Sequence, residues 1–271
     1  MQIKTLAKKW LSPALIERLK PFLGAGIYFS GDYADWETAS AHASGYDSVS
    51  ILEQVEQAML KVKVGEAVFE RDSVLFDEVQ HSFPVAAGLL RAAAENGNQL
   101  AVLDFGGSLG SSYFQCREFL SVLPSLKWGV VEQEHFVRCG QRSFETAQLR
   151  FFYTIAECLQ QAAPNVALLS SVLQYLPQPY HVLDELMNSR VSYIVIDRTP
   201  FSDHETNFIT VQHVPPSIYV ASYPCWVFGK QLFLDKFRGR YKVIAHFDSS
   251  DGNAIAKGRE FTFGGMILRQ V

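Results

Sequence analysis

The chain has 271 residues, 48% hydrophobic and 19% charged, with a formal net charge of -4. That balance describes a globular protein with enough apolar material for a real core, and it opposes a general affinity for nucleic acid, which needs clustered Lys and Arg. No apolar run approaches the roughly 20 residues that span a bilayer, no signal peptide is evident, and Cys116, Cys139, Cys158 and Cys225 lie too far apart for metal-ligand spacing, so they are expected to be reduced, mostly buried thiols of a cytoplasmic protein.

Residues 1–20 set Lys4, Lys8, Lys9, Arg18 and Lys20 among Leu6, Trp10, Leu11, Leu15 and Leu19. This is the pattern of a basic amphipathic helix, which either packs on its own domain or a partner chain, or touches an anionic membrane at its inner face. A loop-rich patch follows, GIYFSGDYADWETASAHASGYDS, whose Tyr28, Tyr33 and Trp36 suit a lid over a substrate pocket. Helical spacing then runs through Ile51, Leu52, Val55 and Met59, and through Val85, Ala86, Leu89, Leu90 and Ala93, before Asn96-Gly97-Asn98 marks a turn. Residues 1–99 are thus expected to be a helical extension and residues 100–271 the main domain.

From residue 100 strands and helices alternate. The apolar runs LAVLDF, LKWGVVE, LRFFYT, NVALLSS and SYIVIDR read as strands, with helices over Tyr113–Leu123, Gln133–Phe144 and Tyr180–Asn188 between most of them. Parallel neighbours need such crossovers, because a tight hairpin cannot join them. After a helix near Gly229–Phe237, YKVIAHFDS and EFTFGGMILRQ flank a polar loop, as in an antiparallel pair. The expected fold is α/β: a mostly parallel, doubly wound sheet closed by a terminal antiparallel hairpin.

The first of these strands ends in VLDFGGSLGSS. In an open parallel sheet, ligands bind beyond the carboxyl ends of the strands, and glycines there let a ligand approach the backbone closely. A dinucleotide fingerprint needs glycines at relative positions one, three and six. Counting from Gly106 or from Gly107 satisfies neither, and no Lys-Ser or Lys-Thr pair follows to make a phosphate loop.

The stretch resembles instead the first motif of class I S-adenosylmethionine-dependent methyltransferases, an acid followed by glycines at alternate positions. Asp104, Gly106 and Gly110 fit, Gly107 lies within the turn, and Ser108 stands for the middle glycine. The resemblance implies S-adenosylmethionine as cofactor and S-adenosylhomocysteine as product, with this loop at the methionine end. It places Glu132 on the ribose hydroxyls, a task suited to a group that only accepts hydrogen bonds, and Thr154 and Ile155 beside adenine. Ser170, Ser171, Gln174 and Tyr175 would face the methyl group, Gln174 and Tyr175 on the acceptor side. Through GDYADWETA, GYDS, VFERDS, DFGGSLG, SSVLQYL, DRTPF and VPPSIYVASYPCW, nearly the whole chain is similar to a group of bacterial methyltransferases encoded among surface-polysaccharide genes. That similarity implies O-methylation of a sugar, in a glycan or a nucleotide-sugar.

Around the fifth strand's end, Arg198 offers bidentate donors for a carboxylate or phosphate, and Tyr219, Tyr223 and Trp226 offer aromatic faces. Methyl transfer to oxygen needs a base, and a histidine titrates near neutral pH. The candidates are His213, then His204, with Asp203 third. No histidine pair has metal-ligand spacing, and no metal is expected. Two rivals remain open: a nucleotide-sugar modifying enzyme using a dinucleotide, and a non-catalytic assembly subunit of a glycan-synthesis complex.

Overall fold

The structure is a computed structural model that describes residues 26–45, 48–67, 69–71, 74–76, 82–189, 191–215, 218 and 221–271. The amphipathic segment over residues 1–20 lies outside the described residues. The N-terminal part runs β1 (Tyr28–Tyr33), α1 (Trp36–Ala41), α2 (Ser48–Val64), a small hairpin of β2 (Phe69–Arg71) and β3 (Val74–Phe76), and α3 (Phe83–Ala94). The alternating region follows as β4 (Gln99–Phe105), α4 (Ser111–Cys116), β5 (Ser125–Val131), α5 (Glu134–Ser143), β6 (Leu149–Phe152), α6 (Ile155–Ala162) and β7 (Val166–Ser170). A short 3-10 turn over Leu173–Tyr175 leads to α7 (Pro179–Ser189), β8 (Tyr193–Ser202), β9 (Phe208–Val214), β10 (Ala221–Gly229) and α8 (Lys230–Asp235). The chain closes with β11 (Tyr241–Ala256) and β12 (Arg259–Gln270).

The expected α/β class is the one observed. The main sheet runs β1-β9-β10-β8-β7-β4-β5-β6, parallel from β6 through β8, with β12 antiparallel on β8 and β11 antiparallel on β12. Strand residues alternate between two cores, as a period of two demands. Val102, Val195 and Tyr193 face one layer with α2, α3 and α5, while Leu103, Ile194 and Ile196 face the other with α6, α7 and α8. Helix spacing supplies the covering faces: Ile51, Val55, Met59 and Val62 of α2 are all buried. All four cysteines are buried as free thiols, and no helix among the described residues is long and apolar enough to cross a membrane.

Three features depart from the expectations. The boundary at residue 99 is not one the sheet respects, because Tyr28–Tyr33 pairs antiparallel with β9. The stretch after β8, where the sequence pattern gives no strand, forms the antiparallel pair β9 and β10. The polar loop expected before EFTFGGMILRQ is largely strand. Its turn is only Lys257-Gly258, both with positive φ (48° and 83°), as a two-residue hairpin turn requires.

The added strands join through a fork. β8 pairs with β7 only from Tyr193 to Asp197, and then at Phe201 and Ser202 with Phe228 and Gly229 of β10. Between the two partners lies Arg198 at φ 51°, opposite a register shift on β12 between Gly264 and Met266. A bulge of this kind bends a strand and re-aims its side chains.

Candidate functional site

β4 carries Asp104 and Phe105 to the carboxyl edge of the sheet, where the chain folds over as a loop. Gly106 lies at φ 73°, and its N–H donates to Val131 O at 2.9 Å. A Cβ on Gly106 would collide with the Val172 side chain, so the position needs glycine for space as well as for angle. A Cβ on Gly107 would sit 2.5 Å from the Asp104 carboxyl carbon. The loop therefore rests directly on that carboxyl.

Asp104 itself is 1% exposed and accepts from Trp128 Nε1 at 2.9 Å. Burial pushes its carboxyl up to about 7, against the Trp128 hydrogen bond, which favours the charged form. Asp104 thus supports the loop from beneath rather than facing a ligand.

Above the loop opens a cavity of about 710 Å³, within the range of small-molecule sites. The β4 and β5 side of the sheet lines it with Gly106, Gly107, Ser108, Glu132 and Gln133, with Phe136, Val131 and Tyr153 beside them. The β8–β12 side lines it with Arg198, Gln212, Tyr223, Asp251 and Phe263, with Tyr175 bonded to Gln212. Ser170, Ser171 and Val172, at the end of β7, come between the two in the strand order.

The polar groups of this wall are fixed by one another. Glu132 accepts from the Gln133 N–H at 2.6 Å and from the Ser108 N–H; these contacts favour its charge, while burial, the larger effect, raises its pKa. Tyr175 OH donates to Gln212 Oε1 at 3.0 Å, and Gln212 Nε2 donates to Tyr223 OH at 3.3 Å. Arg198 Nε meets Asp251 Oδ2 at 2.8 Å. Asp197, whose carboxyl burial also pushes up, accepts from Ser170 Oγ at 3.3 Å and, through its carbonyl, from Ser171 N at 3.0 Å.

Backbone strain gathers at the same place. Among the described residues six non-glycines have positive φ, and Ser108, Ser171 and Arg198, at 54°, 54° and 51°, all line the cavity. Such conformations cost roughly 1–3 kcal/mol each and collect at functional sites. Two of them share a brace: Gln174 Nε2 donates to Ser171 Oγ at 3.2 Å and to Arg198 O at 3.1 Å.

The structure brings Gly106, Gly107, Ser108, Glu132, Ser170, Ser171, Tyr175, Arg198 and Tyr223 together on the cavity wall, and sets other candidates elsewhere. Gly110 opens α4 against Leu149 and Phe114. Thr154 caps α6, its side chain accepting from Glu157 N, and Ile155 is 4% exposed in the core. Gln174 is fully buried behind the wall. Trp36 stacks on Trp226 at 6.3 Å, and both pack with Tyr33 on Ile209 and Val211. These aromatics seal the sheet face opposite the one carrying Gln212; they do not form a lid. Tyr219 lies outside the described residues.

The base candidates are displaced for a physical reason. Gln212 and Val214 line the cavity, so His213 between them points through the sheet to the other face. There its ring stacks on Tyr28 at 4.4 Å, its Nε2 is 2.8 Å from Ser30 Oγ, and burial lowers its pKa. His204 and Asp203 are exposed in the turn after β8 and do not line the cavity.

Sequence reasoning missed Gln133, Phe136, Tyr153, Gln212, Asp251 and Glu70, all on the cavity wall. Gln212 stands one position from His213, and only the parity of β9 separates the two.

No protein-family model and no curated protein matches the sequence. Solved structures resemble it distantly. The N-terminal domain of EvdMO1, in the presence of SAH and D-fucose, is 15% identical, with 83% of this chain and 98% of that chain covered and a TM-score of 0.45. The Burkholderia thailandensis 1,6-didemethyltoxoflavin-N1-methyltransferase, with bound 1,6-didemethyltoxoflavin and S-adenosylhomocysteine, is 15% identical, with 84% and 91% covered and a TM-score of 0.44. The glycopeptide N-methyltransferase MtfA, complexed with sinefungin, is 10% identical, with 66% and 93% covered and a TM-score of 0.40.

Proposed function

We propose that this chain is an S-adenosylmethionine-dependent methyltransferase acting on a hydroxyl of a neutral sugar ring, in surface-glycan or nucleotide-sugar metabolism. The observation that carries the reading is one continuous cavity with two unlike ends. A transfer reaction needs donor and acceptor in contact but held by different chemistry, and alignment supplies much of the barrier reduction.

The residues fit the donor. Glu132, directly after β5, is an acceptor for a ribose diol. Phe136, Val131 and Tyr153 offer flat and apolar surface beside it. When bound, the cofactor supplies an electrophilic methyl group on a sulfonium. At the acceptor end, the Tyr175–Gln212–Tyr223 chain presents neutral hydrogen-bonding groups beside Phe263, a mixture that suits a sugar ring. The Arg198–Asp251 pair offsets its own charges, which favours a neutral sugar ring over an anionic group beside it. Asp251, held by Arg198 and Ser249 Oγ (3.0 Å), would take the proton of the acceptor hydroxyl, whose oxygen would receive the methyl group that the bound cofactor supplies.

Calorimetry with S-adenosylmethionine and S-adenosylhomocysteine tests the donor half. Hydrogen bonds to a charged group contribute about 1.5–3 kcal/mol, so Glu132→Gln should weaken both by roughly tenfold to a hundredfold. Absence of binding by the unaltered chain would remove the reading altogether. Mass spectrometry of surface glycans with and without the gene product tests the acceptor: one methylene mass should be missing without it. A co-purifying nicotinamide cofactor would favour the dinucleotide rival, and binding without transfer the non-catalytic one.

A further inference from the structure

One part of the cavity wall has no task in the transfer described above. Phe29 of β1 and Tyr223 of β10 both stand opposite Gln212 of β9 in register, so the three side chains form one row on the sheet face that lines the cavity. Two residues further along β9 the same face presents Val214, and Ile27, immediately before β1, lines the cavity as well. Successive same-face residues of a strand lie about 7 Å apart, so the row that carries Gln212 passes directly into an apolar one. Ile218 extends that surface beyond the end of β9, in a turn where its N–H donates to Pro215 O at 2.9 Å. The Phe29 ring is fixed as wall by edge contact with Phe261 at 5.1 Å. Ile27 is 39% exposed, which puts this strip at the mouth of the cavity rather than in the core.

Charge narrows what can lie there. Among the described residues that line the cavity Arg198 is the only cation, and it is paired with Asp251, while Glu70, Glu132 and Asp251 all carry carboxyl groups. A pyrophosphate attached to the sugar would meet those carboxyls with no cation of its own, and a charge taken out of water in that way is costly. An apolar group attached to the sugar would instead leave water for Ile27, Val214 and Ile218.

Resting on the methyltransferase reading above, we infer that the acceptor is a glycoside with an apolar aglycone, its sugar ring on the Tyr175–Gln212–Tyr223 chain and its aglycone on the strip formed by Ile27, Phe29, Val214 and Ile218. This selects between the two settings left open there, against a nucleotide-sugar. The edge strand β1 is then a specificity element, because it supplies half of the apolar strip.

The test titrates the chain, saturated with S-adenosylhomocysteine, by calorimetry with the methyl, n-hexyl and phenyl β-glycosides of glucose, galactose and mannose, with 1-hexanol and with UDP-glucose. Each buried methylene tightens binding about fourfold, so the hexyl or the phenyl glycoside of at least one sugar should bind about tenfold or more tightly than its methyl counterpart. A gain confined to hexyl assigns the strip to a chain, and one confined to phenyl to a flat ring; both support the inference. Ile27→Asn combined with Ile218→Asn should cut the gain to less than about threefold in a chain whose urea transition shows that it is folded. Equal or absent binding of all the glycosides overturns the inference without any variant, as does binding of 1-hexanol as tight as that of the hexyl glycoside, or tighter binding of UDP-glucose than of every glycoside. A gain that persists in the folded double variant also overturns it. The methyltransferase reading survives each of these results. Failure of the unaltered chain to bind S-adenosylhomocysteine removes that reading and this inference with it.

Discussion

Replacing Gly106 by alanine tests whether the loop is built around the absence of a side chain. Two costs are expected. An L-residue held at φ 73° costs about 1–2 kcal/mol, and the new methyl overlaps Val172, whose displacement from a packed wall costs about 1–3 kcal/mol. Together these destabilise the chain by about 2–5 kcal/mol, lowering Tm by roughly 6–15 °C in a protein of this size. The two costs can be separated, because only the overlap depends on Val172. Val172→Ala alone removes a half-buried side chain and costs about 1 kcal/mol. In the double variant the 2.4 Å overlap with Val172 Cγ2 is gone, while a 2.9 Å contact with the residual Cβ and the backbone cost remain, so the double variant should be more stable than the sum of the singles predicts by about 1–2 kcal/mol. Urea denaturation of the four proteins measures this coupling. Distant, independent sites add within about 0.5 kcal/mol; additivity at that level would refute the steric account of Gly106.

Two further outcomes follow from groups near the cavity. Burial raises the Asp104 pKa from 3.8 to about 7 in the fold, so the folded state holds an extra proton between these values and stability falls as pH rises through that window, by up to about 4 kcal/mol. Glu132 and Asp197 shift in the same direction. Asp104→Asn, which keeps an acceptor for Trp128, should flatten the decline in unfolding free energy, read from urea denaturation, between pH 5 and pH 8 by roughly 2–3 kcal/mol; an unchanged slope would assign the pH dependence elsewhere. His213→Ala should leave affinity for S-adenosylhomocysteine within twofold while speeding amide exchange across Tyr28–Tyr33, the edge strand that its ring and Nε2 hold. Lost affinity with unchanged exchange would return His213 to the cavity.

The five parallel strands were legible because each is a short apolar run closed by a polar residue, and burial on both faces makes such runs continuous. The same rule hid β9. FITVQHV is also buried on both faces, yet its Thr210, Gln212 and His213 and the prolines beyond it resemble a loop. Its partner β1 lies more than 170 residues away and contains Gly31, so nothing local declares the pairing. Asp104 and Glu132 looked alike, as acids at successive strand ends. What distinguishes them is Trp128, which crosses from β5 to hold Asp104 under the loop, a contact that no spacing along the chain reveals. Asp251 was out of reach because the terminal hairpin runs longer than its polar residues suggested.

The fork in the sheet explains why one cavity has two ends. A parallel sheet of this kind opens its crevice at the carboxyl edge, where β4 and β5 place the glycine loop and Glu132. That edge would be open to solvent beyond β7 if β8 also stopped at Asp197. Instead β8 continues to Ser202 and takes a new partner, and the antiparallel β9–β10 pair stands over the edge with Gln212 and Tyr223 facing inward. The continuation is possible because Arg198 adopts a left-handed conformation, and Ser171, across the gap at the end of β7, does the same. Gln174 bonds both residues at once, so the turn after β7 and the bulge of β8 are held as a unit. The strained backbone is therefore the joint between the two ends of the cavity, and the side chains displayed there, Ser170, Ser171 and Arg198, are those that a donor and an acceptor would meet together.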